Sequence, residues 1–278
     1  MINLYHTLLI ISFFGITGNF VIFSTFTKLT KIKQRKSICL MAISEFMTNL
    51  LSTFYSILML MSKDYYLFST YHCKILVWLS YVLPSLSVWC LVHISIERVL
   101  QIYQIQVQKT FEYMRLITFS TIIIVYSMSF YTMGLFETKI DSKMTLVCDH
   151  YNILYELVLN SLYFLIIFAT PFIIMIICSI VIIKQIYEVR KKSVVQLYHL
   201  KRRSKKHIMF SLKILLLNFN FLALNLPFCI VFFFYNQENL IYKLTYMLLY
   251  LQFNINIFIY LAVYKDFRLK ILHLIGFT

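Results

Sequence analysis

A few ionisable side chains in this sequence sit where charge is costly. Glu45 lies in Met41-Ala42-Ile43-Ser44-Glu45, about a third of the way into a long apolar run. A charge at mid-membrane costs about 2.5–3.5 kcal/mol on insertion scales, so Glu45 is expected to face a protein interior, protonated or bound to a cation. A protonated Glu45 satisfied by a neighbour would serve packing alone. Glu97 and Arg98 are adjacent opposite charges at the end of another apolar run, where they can pair and still reach water. Arg98 by itself would be an interfacial anchor. His93, in the same run, reads as a hydrogen-bonded packing residue rather than a ligand or titrating switch. Lys213 can snorkel from the start of a run, and Glu156 faces either a ligand or solvent. No metal-ligand spacing occurs, and the chain does not read as an enzyme.

The elements that must position these groups follow from composition. Of 278 residues, 60% are hydrophobic and 13% charged. Soluble domains run near ~25% charged, and a soluble chain of this length cannot bury so much Phe, Tyr, Ile and Leu. A bilayer core needs about 20 apolar residues per helix. Seven runs qualify, at 4–26, 38–61, 74–102, 116–136, 153–186, 208–235 and 241–264. Each is far longer than the roughly 9–11 residues of a barrel strand. The fold class is therefore all-α, one seven-transmembrane bundle over 1–278. No internal repeat suggests an inverted-repeat transporter. The first run has neither a basic flank before it nor a small-residue cleavage site after it, so it reads as a span rather than a signal peptide.

Orientation comes from Lys and Arg. With the amino terminus outside, inner segments 27–37, 97–115, 184–213 and 265–278 hold 21 of the 26 basic residues. Lys63, Lys74, Lys139, Lys143 and Lys243 fall outside. The net charge of +15 is thus gathered in short inner blocks, which suits anionic lipid or a cytoplasmic partner better than nucleic acid. Cys73 and Cys148 would both lie on the oxidising side, where a bridge is chemically favoured and would tie a loop over the bundle. Cys39, Cys90, Cys178 and Cys229 fall within apolar runs and read as small buried hydrophobes. No Asn-x-Ser/Thr sequon occurs, so N-glycosylation is not expected.

Taken in order, further marks resemble the rhodopsin-like family of G-protein-coupled receptors over essentially the whole chain. Gly18-Asn19 matches its span-one pair, and Met41-Ala42-Ile43-Ser44-Glu45 matches Leu-Ala-x-x-Asp with Glu for Asp. Cys73 and Arg98 stand 25 residues apart, the family's spacing, and Glu97-Arg98-Val99 stands for Asp/Glu-Arg-Tyr. Pro171 occupies the span-five proline. Phe221-Leu222-Ala223-Leu224-Asn225-Leu226-Pro227 resembles Phe-x-x-x-Trp-x-Pro, and Asn256-Ile257-Phe258-Ile259-Tyr260 resembles Asn-Pro-x-x-Tyr. Phe267 falls where the family places a short amphipathic helix, here about 265–275. The resemblance implies that Glu97, Arg98, Val99, Pro227, Asn256 and Tyr260 form an activation switch. It implies that Asn19, Glu45, Ser87 and Asn256 form a polar core, a candidate sodium site, with no other cofactor. It also implies that Cys73 pairs with Cys148.

By the same resemblance, a ligand would enter among spans three, five, six and seven, near Ser80, Tyr81, Phe228, Phe232, Tyr246 and Tyr250; any of these could equally be ordinary packing. Ser80 replaces the Asp of amine receptors and span seven lacks a Schiff-base Lys, so neither a monoamine nor retinal is expected. A peptide is favoured. The span-four Trp is absent, Asn225 and Ile257 replace a Trp and a Pro, Ser179 replaces a Tyr, and His207 replaces an acidic partner for Arg98. Pro84 should distort span three. The expected function is a plasma-membrane receptor, amino terminus extracellular and carboxyl terminus cytoplasmic, carrying an extracellular signal to a heterotrimeric G protein. A non-signalling decoy or accessory receptor, and a chemosensory channel or small transporter, are the alternatives.

Overall fold

The structure is a computed structural model that describes residues 4–29, 34–61, 70–103, 108–132, 137–140, 146–149, 158, 160–193, 198–234 and 240–274. The helices are α1 (Leu4–Lys28), α2 (Arg35–Met61), α3 (Thr70–Ile102), α4 (Gln108–Thr132), α5 (Thr170–Ser193), α6 (Tyr198–Phe234), α7 (Leu240–Val263) and α8 (Lys265–Leu274). A π-helical turn, Phe164–Ala169, leads into α5. Among the described residues, seven helices are long and apolar enough to cross a membrane. Their lipid-side residues are large and apolar, as Phe13, Phe14, Leu116, Phe219 and Phe258 show by their exposure. This is a multi-pass membrane protein.

α3 is the axis of the bundle. It packs on α2, α4, α5 and α6, while α1 packs on α2 and α7, and α6 on α7. In the apolar window of α3, 61% of residues are buried, against 17% in α4, so α4 is peripheral. The core joins Ile22 and Phe26 of α1, Met41 of α2, Ile94 of α3, Met175 of α5 and Phe221 of α6. At the end of the bundle rich in Lys and Arg, Lys36 of α2 pairs with Glu112 of α4, and Arg115 donates to Ser37 Oγ at 2.9 Å.

Several boundaries differ from expectation. α4 begins at Gln108 rather than 116. α6 begins at Tyr198 rather than 208, because Lys and Arg are good helix formers and nothing between 198 and 213 breaks the turn. Its apolar window opens only at Ile214, so the helix continues on the order of 24 Å beyond it. Two short strands, β1 (Glu137–Ile140) and β2 (Leu146–Asp149), pair antiparallel between α4 and α5, with Thr138 opposite Cys148. β1 packs on α3. Pro84 does not interrupt α3, which runs unbroken through it. Beside it, the Ser85 hydroxyl donates to Tyr81 O at 2.6 Å and shares a 3.1 Å hydrogen bond with Tyr126 of α4.

Candidate functional site

The first site is built around Glu45. Spacing on α2 sets Glu45 on the face turned to α3 and α7, and the residue is buried. Its Oε1 accepts from Ser87 Oγ of α3 at 2.9 Å and from Asn256 Nδ2 of α7 at 2.8 Å. Its Oε2 is buried without a protein partner. Beside it lies a small cavity whose polar walls are Glu45, Ser87, Asn220, Gln252 and Asn256. Leu91, Leu217 and Phe221 close it on the side of the basic end. Asn19, expected in the same cluster, instead donates to the Phe253 carbonyl of α7 at 3.0 Å, and its Oδ1 has no partner.

The second site lies at the basic end. Arg98 is buried, and its Nε and one terminal nitrogen donate to Ser211 Oγ of α6 at 3.1 and 2.9 Å. Tyr264 lies within electrostatic reach. Glu97 and Val99 are half-buried beside it. One turn further into the bundle, Ser95 donates to Asn218 Oδ1 at 2.9 Å, and Asn218 Nδ2 donates to Ser179 Oγ of α5 at 3.1 Å. Two polar layers therefore tie α6 to α3, and the inner one also ties it to α5. Tyr260 is buried among Phe26, Tyr264 and Phe267, with its hydroxyl unpartnered. Phe267 thereby anchors α8 to α1 and α7.

The aromatic candidates gather toward the opposite end. Phe228 of α6 packs on Tyr242 and Tyr246 of α7 at centroid distances of 5.7 and 5.8 Å. Tyr246 and Tyr250 share a 3.2 Å hydroxyl contact. Tyr81 faces α4 and the start of the fifth span, edge-on to Tyr163 at 4.8 Å and 3.4 Å from Asn160 Oδ1. Ser80 is half-buried on α3.

The sequence profile described as 7 transmembrane receptor (rhodopsin family) matches residues 18–260. The chain belongs to this family. No curated protein sequence matches the chain. Among solved structures, the crystal structure of squid rhodopsin resembles it with a TM-score of 0.78, at 16% identity, over 97% of this chain and 83% of that one. The shared fold is the seven-helix bundle, and the chain is a G-protein-coupled receptor by family.

The family positions where this receptor departs take on structural meaning. Asn225, in place of the span-six Trp, donates to Phe221 O at 2.8 Å and to the Gln252 side chain of α7, making a direct α6–α7 link. Ile257, in place of the span-seven Pro, packs against Gly18: a Cβ there would lie 3.4 Å from Ile257 Cγ2. Ser179, in place of a Tyr, closes the Asn218 layer. His93 packs edge-on to Phe111 and Phe119 of α4, and neither ring nitrogen has a hydrogen-bond partner. It is a packing residue, as expected, but not a hydrogen-bonded one. Cys90 and Cys178 are buried, while Cys39 and Cys229 are half-buried. The side chains of Cys73, Cys148, Phe232, His207 and Lys213, and all of Glu156, lie outside the described residues.

Ser211, Asn218, Gln252 and Trp89 were not singled out by sequence reasoning. Ser and Asn are common in membrane helices, and only the helix rotation tells which of them meet. One signal was available: Glu45, Asn49, Ser52 and Ser56 recur at spacings of three and four, a polar stripe along one face of α2.

Proposed function

We propose that this receptor carries an extracellular signal, a peptide in preference to other ligands, to a heterotrimeric G protein across the plasma membrane. The amino terminus would lie outside and the basic end in the cytoplasm, as the distribution of Lys and Arg favours. The observation that carries the reading is the grip of Arg98 on Ser211. At the basic end Arg98 of α3 donates hydrogen bonds to the Ser211 hydroxyl of α6, a helix whose sequence contains no Asp or Glu. Outward movement of α6 would release Arg98 into the space vacated, where a G-protein segment could meet it. Ligand contacts among Tyr81, Phe228, Tyr246 and Tyr250 would bias that two-state equilibrium through α6 and α7. Pro227, inside α6, removes one backbone hydrogen bond and supplies the bend such a movement needs.

The Glu45 cluster suits a sodium ion: oxygen donors, a buried carboxylate oxygen with no partner, and an adjoining cavity. Glu45, Ser87, Gln252 and Asn256 would hold it, and the ion would neutralise the buried charge. The test of the main reading is nucleotide exchange on purified G proteins by wild type and Arg98→Ala. Exchange by wild type that is lost in the variant supports it; equal exchange by both sinks the Arg98 mechanism.

A second reading, a receptor that binds ligand without signalling, draws support from the Asn225–Gln252 link, which fastens α6 to α7 where other members carry a bulky Trp. Ligand binding with no exchange on any G protein would favour it.

A further inference from the structure

At the basic end, α2 and α4 meet in an exposed charged cluster. Lys36 of α2 pairs with Glu112 of α4, and both side chains are open to the outside. Arg115, one turn on from Glu112, donates to the buried Ser37 Oγ at 2.9 Å. Two cations and one carboxylate thus close a ring between the helices. In sequence, Lys28, Lys31, Lys33, Arg35 and Lys36 follow one another with no acidic residue between them. The first-turn N–H groups of Arg35, Lys36 and Ser37 add the positive end of the α2 dipole. The cap residue Gln34 is buried, and among the described residues its Nε2, a donor, has no partner. Cations and donors therefore outnumber the carboxylate. An exposed lysine–carboxylate pair is held weakly, so a more highly charged anion can take Lys36 from Glu112.

The surface next to the cluster says which anion. From Lys36 the exposed face of α2 continues through Leu40, Ile43, Met47, Leu50 and Phe54, at spacings of three and four. One turn from Glu112, Leu116 of α4 is also exposed. Charge at one end and an apolar stripe running from it match an amphiphile, whereas a soluble anion would use the charged end alone. We propose that Lys36 and Arg115 bind the phosphate headgroup of an anionic phospholipid whose acyl chain lies along Leu40, Ile43 and Met47, and that Glu112 is an internal competitor holding Lys36 while the site is empty. Binding breaks the Lys36–Glu112 pair. Arg115 keeps Ser37 with one nitrogen and turns its remaining donors to the phosphate. The lipid then bridges α2 to α4, the least buried of the spans. The site stands whichever way the basic end faces and whether or not the receptor couples to a G protein.

The full chain in neutral detergent micelles, titrated with a phosphatidylinositol bisphosphate or with phosphatidylcholine and followed by native mass spectrometry, tests it. The anionic lipid should bind in preference to the neutral one. Lys36→Gln and Arg115→Gln should each weaken its binding about fivefold. Glu112→Gln should act in the opposite direction and tighten it, because Lys36 is then released; this variant carries the test even where Lys36→Gln fails to fold. Lys265→Gln in α8 removes a charge away from the cluster and should leave binding unchanged. Equal losses in the Lys36 and Lys265 variants would mean diffuse attraction and overturn the site. Weaker binding by Glu112→Gln overturns the competitor role, since an ion pair that served packing alone predicts that result. Soluble inositol trisphosphate should bind far more weakly than the lipid, and equal affinity overturns a lipid as the occupant.

Discussion

The indole Nε1 of Trp89 in α3 donates to the backbone carbonyl of Ile166 at 3.0 Å. The bond answers a local defect. In the π-helical turn the N–H of Thr170 goes to Leu165 O, five residues back. The carbonyl of Ile166 would next accept from position 171, which is Pro171 and has no N–H. A carbonyl so exposed within a membrane needs a partner, and Trp89 reaches across from α3 to supply it. Trp89→Phe keeps the ring but removes the donor. We expect a loss of about 1–3 kcal/mol, read as a lowered melting temperature of the solubilised receptor, with Trp89→Leu losing more.

Ser211 should restrain activation. Ser211→Ala removes the acceptor for two guanidinium hydrogen bonds and leaves Arg98 buried. Hydrogen bonds to charged groups contribute about 1.5–3 kcal/mol, so ligand-independent nucleotide exchange should rise on the order of tenfold. Unchanged basal exchange in a receptor that otherwise signals would show that this contact does not hold the resting state.

The Asn218 layer should act in the same direction. Asn218→Leu cuts α6 from both Ser95 and Ser179 while keeping its bulk. Basal exchange should rise by several-fold, and the rise should combine with that of Ser211→Ala, since both contacts oppose the same movement of α6. Lower basal exchange in the Asn218 variant would contradict this role.

Glu45→Gln and Glu45→Leu should separate hydrogen bonding from charge. The Gln side chain keeps an oxygen for Ser87 and Asn256, so surface expression should stay near wild type. Leu strands both donors and should cost about 1–3 kcal/mol for each. If the cluster holds sodium, replacing sodium by a bulky organic cation should shift ligand affinity in wild type and leave Glu45→Gln unaffected.

Cys148 sits in β2 opposite Thr138 of β1, and β1 packs on α3, whose first turns carry Cys73. Cys73→Ala, Cys148→Ala and the double variant should all lose surface expression or ligand binding to the same extent. Unequal single variants would mean that the two do not pair.

Seven spans were legible because apolar length in a bilayer is a one-dimensional property, and each helix satisfies its own backbone. The groups around Glu45 and Arg98 were legible for a related reason: a charge in an apolar run marks itself. Ser87 and Asn256 could be assigned to Glu45 through family spacing. Asn19 could not, since its carboxamide finds the Phe253 carbonyl only after α1 and α7 have packed. Ends of helices were read less well, as at α6, where basic residues that leave the membrane still favour the helical turn.

The sequence alone determined how many helices there are and which residues are too polar to face lipid. Tertiary structure decided which polar groups meet: Arg98 with Ser211, Asn225 with Gln252, and Asn218 with two serines. The reason is geometric. Hydropathy fixes where a helix lies along the membrane normal, whereas hydrogen bonds between helices depend on rotation about each axis, and the packing of all seven sets those rotations together.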